Sequence, residues 1–329
     1  MKIGIIGAGA IGGFLGARLA ASGHRVSMLA RGETLRALTT NGLRLDSSGA
    51  SQVVQVQASA DPTELGPQDL LLLAVKAPAL PDVAAASAAM CSASTIVAPA
   101  LNGLPWWFFL GQQDVPLAGR RLYAADPQGT IEASIPTRSV LGCVVFPSCS
   151  VAAPGHVVHA SGNRLVFGEP AGGTSGRARE VAGVFTEAGF EAEASADVRR
   201  DVWMKLLGNA CFNPVSLITR SHTDELIDDA AVHALFVAMM TETLAVGRAI
   251  GIDVPVDPRD RLAMTRRLGH IRTSMLQDAI AGRTVELDAI LGTLVEVARE
   301  AGVDAPMLNA ITALARAHAR QHGLLPGAR

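Results

Sequence analysis

Lys2-Ile3-Gly4-Ile5-Ile6, followed at once by Gly7-Ala8-Gly9-Ala10-Ile11-Gly12, is the stretch that decides the fold. The β-branched run reads as a strand, the glycines as a turn, and the apolar segment Gly12 to Ser22 as a helix. In that setting G-x-G-x-x-G is the dinucleotide fingerprint. Its first glycine permits the tight turn, its second lets a pyrophosphate approach the backbone, and its third lets helix and strand pack closely. The helix start at Ala10, Ile11 and Gly12 then offers unpaired N–H groups and a positive dipole end to phosphate.

Working outward, Arg25 to Leu29 reads as a second strand, Asp69 to Val75 as a third, fully buried one, and Thr95 to Ala98 as a fourth. Strands alternating with helices at this spacing predict a parallel sheet covered on both faces. Sites for NAD place Asp or Glu at the end of the second strand, about 20 residues beyond the glycines, to hold the ribose 2′-hydroxyl. Here the strand runs out as Met28-Leu29-Ala30-Arg31-Gly32, with no carboxylate until Glu33. The Arg31 guanidinium can fork onto a 2′-phosphate, which favours NADPH over NADH; a solvated surface arginine is the competing reading. Lys76 and Asn102 follow the third and fourth strands, where such sheets form their ligand crevice, although either could simply cap a loop.

From Ser139 the texture changes to turn-separated strands at Ser139 to Val145, Val157 to Ala160 and Arg164 to Phe167, read as an antiparallel extension of the same sheet. A helix near Arg177 to Ala188 and a strand from Phe190 to Ala194 follow. Beyond Asp197, a plausible N-cap, helical periodicity covers 198–212, 224–251, 258–281, 284–301 and about 306–321. The fold class is therefore an α/β Rossmann domain, a parallel sheet with an antiparallel extension, over residues 1–196. An all-α C-terminal domain over 197–329 is expected to carry substrate binding, catalysis and dimerisation, its apolar helix faces supporting a homodimer.

Bulk properties narrow the class. With 329 residues, 49% of them hydrophobic and 18% charged, the chain can bury two cores. A net charge of -2 without any run of Lys and Arg excludes the electrostatic footprint of a nucleic-acid or anionic-membrane binder. Cys91, Cys143, Cys149 and Cys211 form no CxxC pair, which reads as reduced thiols with no metal site. No charged leader precedes the first strand, and apolar runs such as Leu70 to Val75 fall short of the ~18 residues of a membrane span. A cytoplasmic enzyme acting on a small molecule is expected.

The most informative stretch of the second half is Trp203-Met204-Lys205-Leu206-Leu207-Gly208-Asn209-Ala210-Cys211-Phe212-Asn213-Pro214. Lys205, Asn209 and Asn213 stand at i, i+4 and i+8 and share one helical face, among neighbours typical of a core. Burying an ammonium and two amides costs several kcal/mol unless each finds a partner, so the stripe either faces water or lines a site. Ser274-Met275-Leu276-Gln277-Asp278, with Glu286 beyond it, is a second candidate. Trp106-Trp107-Phe108-Phe109 reads equally as a hydrophobic helix start packed on the sheet or on a partner subunit and as an apolar substrate wall.

Taken together these residues resemble the ketopantoate reductase family over nearly the whole chain. The resemblance rests on Gly7, Gly9 and Gly12, Arg31, Val75-Lys76-Ala77, Leu101-Asn102-Gly103, the segment from Trp203 to Pro214, and Ser274 to Asp278 followed by Glu286. It implies that Lys205 is the general acid for reduction of a 2-oxo acid by NADPH, and that Glu286 orients it or binds a substrate hydroxyl. It further implies that Asn102 and Ser274 bind substrate, Asn102 also lying on the cofactor side, and that Asn209 and Asn213 line the same pocket. Lys76 falls at the family's nicotinamide-side lysine and Arg31 at its 2′-phosphate contact. The sequence departs from the pattern at Thr223, where an asparagine is common, and in the segments Pro105 to Phe109 and Asp126 to Gly129. The expected reaction is thus 2-dehydropantoate to pantoate, in pantothenate biosynthesis. The alternatives are reduction of a different 2-oxo or 3-oxo compound, or a non-catalytic NADPH-binding sensor.

Overall fold

A computed structural model describes residues 1–326 and resolves them into two compact units, Met1–Leu101 with Gln128–Asp201, and Asn102–Pro127 with Val202 onward. The first unit holds all the strands: β1 (Lys2–Ile6), β2 (Arg25–Leu29), β3 (Leu43–Ser47), β4 (Ala50–Val54), β5 (Gln57–Ser59), β6 (Leu70–Leu73), β7 (Ile96–Pro99), β8 (Gly142–Val145), β9 (Ser148–Ala153), β10 (His156–Ser161), β11 (Arg164–Gly168) and β12 (Glu191–Ser195). Its helices are α1 (Ala10–Ala21), α2 (Gly32–Asn41), α3 (Pro62–Leu65), α4 (Leu80–Ser87), α5 (Thr130–Ser134) and α6 (Gly176–Glu187).

Five strands in the order β5-β2-β1-β6-β7 pair in parallel, the predicted Rossmann sheet. The four leucines of β6 are all 0% exposed, because a central parallel strand is covered on both faces and needs no alternation. Helix α1 is apolar nearly all round for a related reason: a second sheet, β4-β3-β10-β9, closes over its other side. A side chain at Gly13 would stand 2.5 Å from Val157 of that sheet, and one at Gly16 would stand 3.0 Å from Ile5 of β1. Small residues on opposite flanks of one helix thus let two sheets approach it.

This second sheet corrects the sequence reading. Segment 157–160 pairs in parallel with β3 and antiparallel with β9, so it is not part of the extension assigned to it. The β3–β4 hairpin went unread. Its alternation is clear in retrospect, with Leu43 and Leu45 at 1% exposed and Arg44 outward, closed by Ser48 and Gly49 at positive φ. The remaining sheet, β12-β11-β8, has the expected antiparallel pair β8–β11, and β12 adds in parallel. A parallel bridge between Val97 and Val140 joins it to β7.

The second unit contains most of α7 (Val198–Thr219), then α8 (Thr223–Asp228), α9 (Ala230–Ala249), α10 (Pro258–Arg266), α11 (Ser274–Ile280), α12 (Thr293–Glu300) and α13 (Pro306–Gln321). Expected spans break where caps intervene. Asp229 accepts the N–H groups of Ala231 and Val232 and separates α8 from α9, and Thr273 caps α11. Pro214 sits inside α7, which runs on to Thr219 rather than ending at 212. Helix α9 is long and apolar enough to cross a membrane by length and composition, with a mean hydropathy of 1.5, contrary to the expectation that no segment reaches this level. His233, the run Thr241-Glu242-Thr243 and Gly247-Arg248 interrupt its apolar residues, so no unbroken run shows in the sequence. At its centre Glu242 accepts the N–H groups of Met307 and Leu308 and caps α13.

The division also differs from the continuous one expected at 196/197, because 102–127 belongs with the helices. Its aromatic residues Trp106 to Phe109 are all at most 1% exposed, and the Phe108 ring lies 6.1 Å from that of Trp203. Tyr123 and Ala124 donate their N–H groups to the two carboxylate oxygens of Glu296 at 2.7 and 2.8 Å. The aromatic segment is therefore packed as core.

Candidate active site

In the first unit the three glycines do three different things. Gly7 takes φ +103°, where a side chain would lie 2.7 Å from the Ala74 carbonyl oxygen. At Gly12 a Cβ would fall 1.9 Å from the Gly7 carbonyl, so the helix can sit this close to the turn only as glycine. Gly9 meets nothing within 4 Å. The space beside it is open, as a ligand approaching the backbone requires. Gly9 caps α1 without a side-chain hydrogen bond, and no acid stands in the first turn, so the N–H groups of Ala10 and Ile11 are left to an anion. These residues fit a dinucleotide pyrophosphate. Arg31 is exposed, immediately beyond β2 and at the N-cap of α2, while Lys76 follows β6 and opens a short 3₁₀ turn over Ala77–Ala79.

In the second unit three residues far apart in sequence come together. The Lys205 Nζ donates to Asn102 Oδ1 at 2.8 Å, and Asn102 Nδ2 donates to Glu286 Oε2 at 3.0 Å. The amide is thereby read in both directions, its oxygen toward the ammonium and its nitrogen toward the carboxylate, so the two partners fix its orientation. Lys205 and Asn209 are half-buried on α7, and Asn213, one turn further, is 4% exposed. The Asn213 Nδ2 is buried and finds no acceptor among the described residues. A buried amide donor left this way is suited to an acceptor on a ligand.

Ser274 is exposed at the first position of α11. The residue before it was not singled out in the sequence: the Thr273 and Ser216 hydroxyls are 2.7 Å apart, and Ser216 donates to the Asn213 carbonyl at 3.1 Å. This pair ties the start of α11 to α7 beside Asn213. A Ser/Thr pair 57 residues apart carries no spacing signal. Arg261 also lies against α7. Its guanidinium lies 3.4 Å from where a Gly208 side chain would begin, and burial lowers its pKa from the ordinary arginine value.

Two histidines and a glutamate also converge: His222, Glu225 and His270 bring ligand atoms within 4.8 Å of one another. The two rings stack at 3.5 Å with only 18° between their planes. In-plane lone pairs on parallel rings cannot meet at one ion. Arg272 Nε also donates to His222 Nε2, and Asp224 accepts from His270. The arrangement reads as a surface hydrogen-bond cluster.

Comparison with known proteins places both parts of the chain in one family. The ketopantoate reductase PanE/ApbA model matches residues 3–172, and its C-terminal counterpart matches residues 197–319. A 2-dehydropantoate 2-reductase of Mesorhizobium japonicum is 40% identical over 98% of this chain and 99% of its own length. One from Archaeoglobus fulgidus is 29% identical over 96% and 97%. Among solved structures, a chain described as a ketopantoate reductase from Ralstonia solanacearum MolK2 superposes with a TM-score of 0.95 at 46% identity, covering 98% of this chain and 99% of that one. With family models on both parts and a relative this similar from end to end, the chain belongs to the ketopantoate reductase family of pyridine-nucleotide-dependent oxidoreductases.

Proposed function

We propose that this protein reduces 2-dehydropantoate to pantoate with NADPH, as a cytoplasmic step of pantothenate biosynthesis. The observation that carries the reading is the hydrogen-bonded series Lys205–Asn102–Glu286 in a chain whose full-length relatives bear the name of that reaction. NADPH, when bound, supplies the hydride. Gly7, Gly9, Gly12 and the α1 N-terminus would hold its pyrophosphate, and Arg31 its 2′-phosphate, since no carboxylate at the end of β2 competes for a ribose hydroxyl.

Reduction of a 2-oxo acid leaves negative charge on the former carbonyl oxygen. Lys205 would place an ammonium proton there, an arrangement that stabilises the transition state more than the ground state. Asn102 holds that ammonium by its oxygen, and its link to Glu286 keeps the amide from turning over. Asn213 would donate its unpaired Nδ2 to the substrate, and Asn209 and Ser274 would complete the contacts to hydroxyl and carboxylate. Lys76 is assigned to the nicotinamide side.

The packing of Trp106 to Phe109 as core favours 2-dehydropantoate over a bulkier oxo compound, because none of those rings is left to form a wall. A sensor without chemistry would have no use for the Lys205 series. The test is nicotinamide oxidation by the purified protein with 2-dehydropantoate beside a panel of other 2-oxo acids. Turnover on 2-dehydropantoate is expected, and Lys205→Ala should lower kcat roughly 10²–10⁴-fold with NADPH affinity retained. Tight NADPH binding without turnover on any acid would sink the reading.

A further inference from the structure

The turn Asp288–Gly292 is wound as a π-helix between Glu286 and α12. Its winding has one chemical effect. The Thr293 N–H reaches back to the Asp288 carbonyl, five residues earlier, so it leaves the Ala289 carbonyl that an α-turn would have occupied. Two other donors take that oxygen. Leu104 N–H bonds it at 3.0 Å, and the Thr293 hydroxyl bonds it at 2.6 Å. Between Leu104 and Asn102 stands Gly103 at φ +82°, where a side chain would lie 1.9 Å from the same oxygen. The backbone that carries Asn102 is thus seated on the turn that follows Glu286, so closely that only glycine fits.

We propose that this π-turn is the device that sets Asn102 between Lys205 and Glu286, and that Thr293 is its positioning residue. Thr293 is 0% exposed, and its hydroxyl bonds the Ala289 and Ile290 carbonyls rather than Lys205 or Asn102. Its hydroxyl acts on the site through the Ala289 carbonyl, which it holds turned toward Leu104. Without the hydroxyl the carbonyl is free to return to the Thr293 N–H as an ordinary helical turn, and the Leu104 anchor is lost. Asn102 then loses its register against two partners that each require hydrogen-bond distance, and misplacement of about 1 Å is enough to cost a rate substantially. The proposal rests on the Lys205–Asn102–Glu286 reading of the site.

The test is steady-state turnover of the full-length protein carrying Thr293→Val, Thr293→Ser, Asn102→Ala, and Asn102→Ala combined with Thr293→Val. Thr293→Val keeps the shape and removes the hydroxyl; it should lower kcat roughly 10- to 100-fold with NADPH affinity unchanged. Thr293→Ser, which keeps the hydroxyl, should retain turnover. In the Asn102→Ala background Thr293→Val should add no further loss, because its effect passes through Asn102. Wild-type turnover in Thr293→Val, or losses that multiply in the double variant, would overturn the proposal. Should Thr293→Val fail to fold, Thr293→Ala, which also removes the hydroxyl, is measured in the same cycle, with the same absence of further loss expected and the same multiplication overturning the proposal. A wild-type rate in Asn102→Ala overturns the reading of the site and this proposal with it, whereas loss there and none in Thr293→Val overturns this proposal alone.

Discussion

At the scale of single residues, charge and hydrogen-bond direction carry the functional reading. Arg31 offers five N–H donors in a fixed fork just beyond β2, and the 2′-phosphate of the proposed NADPH is the group that such a fork would distinguish. Arg31→Ala should therefore raise KM for NADPH roughly tenfold, within the range of one lost charge-assisted hydrogen bond, and leave KM for NADH unchanged. Equal losses with both cofactors would move the 2′-phosphate contact elsewhere. The half-buried Cys149 and the buried Cys211 are ordinary thiols shielded from solvent. Burial pushes the Cys149 thiol up to about 12 and raises that of Cys211 as well. Both stay protonated near neutrality, and alkylation of the native protein at pH 8, read by mass spectrometry, should leave them unlabelled.

At the scale of elements, stability is concentrated at joints. Arg177, near the start of α6, donates to Glu169 through Nε and Nη2 at 2.8 and 2.5 Å, and to the Arg138 and Val140 carbonyls at 2.8 and 2.9 Å. One guanidinium thereby clamps the segment that bridges β7 to the mixed sheet. Arg177→Ala should cost about 1–3 kcal/mol of stability, read from denaturant unfolding. The Arg177 hydrogen bonds hold the Glu169 pKa below the ordinary carboxylate value. The contribution is therefore fully present at neutrality and is lost as pH falls through that lowered value. The difference between wild type and variant should shrink in acid; a difference independent of pH would remove Glu169 from the clamp.

The same scale shows what the sequence could carry. The glycine motif was legible because its turn, open space and close approach are set within six residues, and the α7 stripe because i, i+4, i+8 is a property of one helix. Asn102 and Glu286, 184 residues apart, have no periodicity in common; the resemblance supplied their roles, and the geometry supplied the order Lys205–Asn102–Glu286. The π-turn was not legible, since its winding depends on an acceptor being claimed by Leu104. The β3–β4 hairpin was missed because five-residue strands with two inward leucines compete poorly with longer patterns around them.

At the scale of the whole molecule the two units are interlaced along the chain. The backbone leaves the first unit at Asn102, returns at Gln128, and leaves again at Val202. A fragment ending at residue 201 would contain Trp106 to Phe109 but lack Trp203 and the rest of their packing. Such a fragment should bind a hydrophobic dye and associate in solution, whereas the full-length protein should not. A monodisperse, dye-free fragment would show that those rings find cover within the first 201 residues.

The interlacing also has a consequence in time. The ribosome delivers Trp106 to Phe109 nearly a hundred residues before it delivers Trp203. At about 5–20 residues per second, these rings wait on the order of 5–20 s for the surface that covers them. Over that interval the nascent chain carries these rings without Trp203, while the last strands of the first unit are still being made. Helix α7 carries both Trp203 and Lys205, so the stretch of synthesis that brings cover to the rings also delivers the ammonium that Asn102 accepts, with Glu286 still to come.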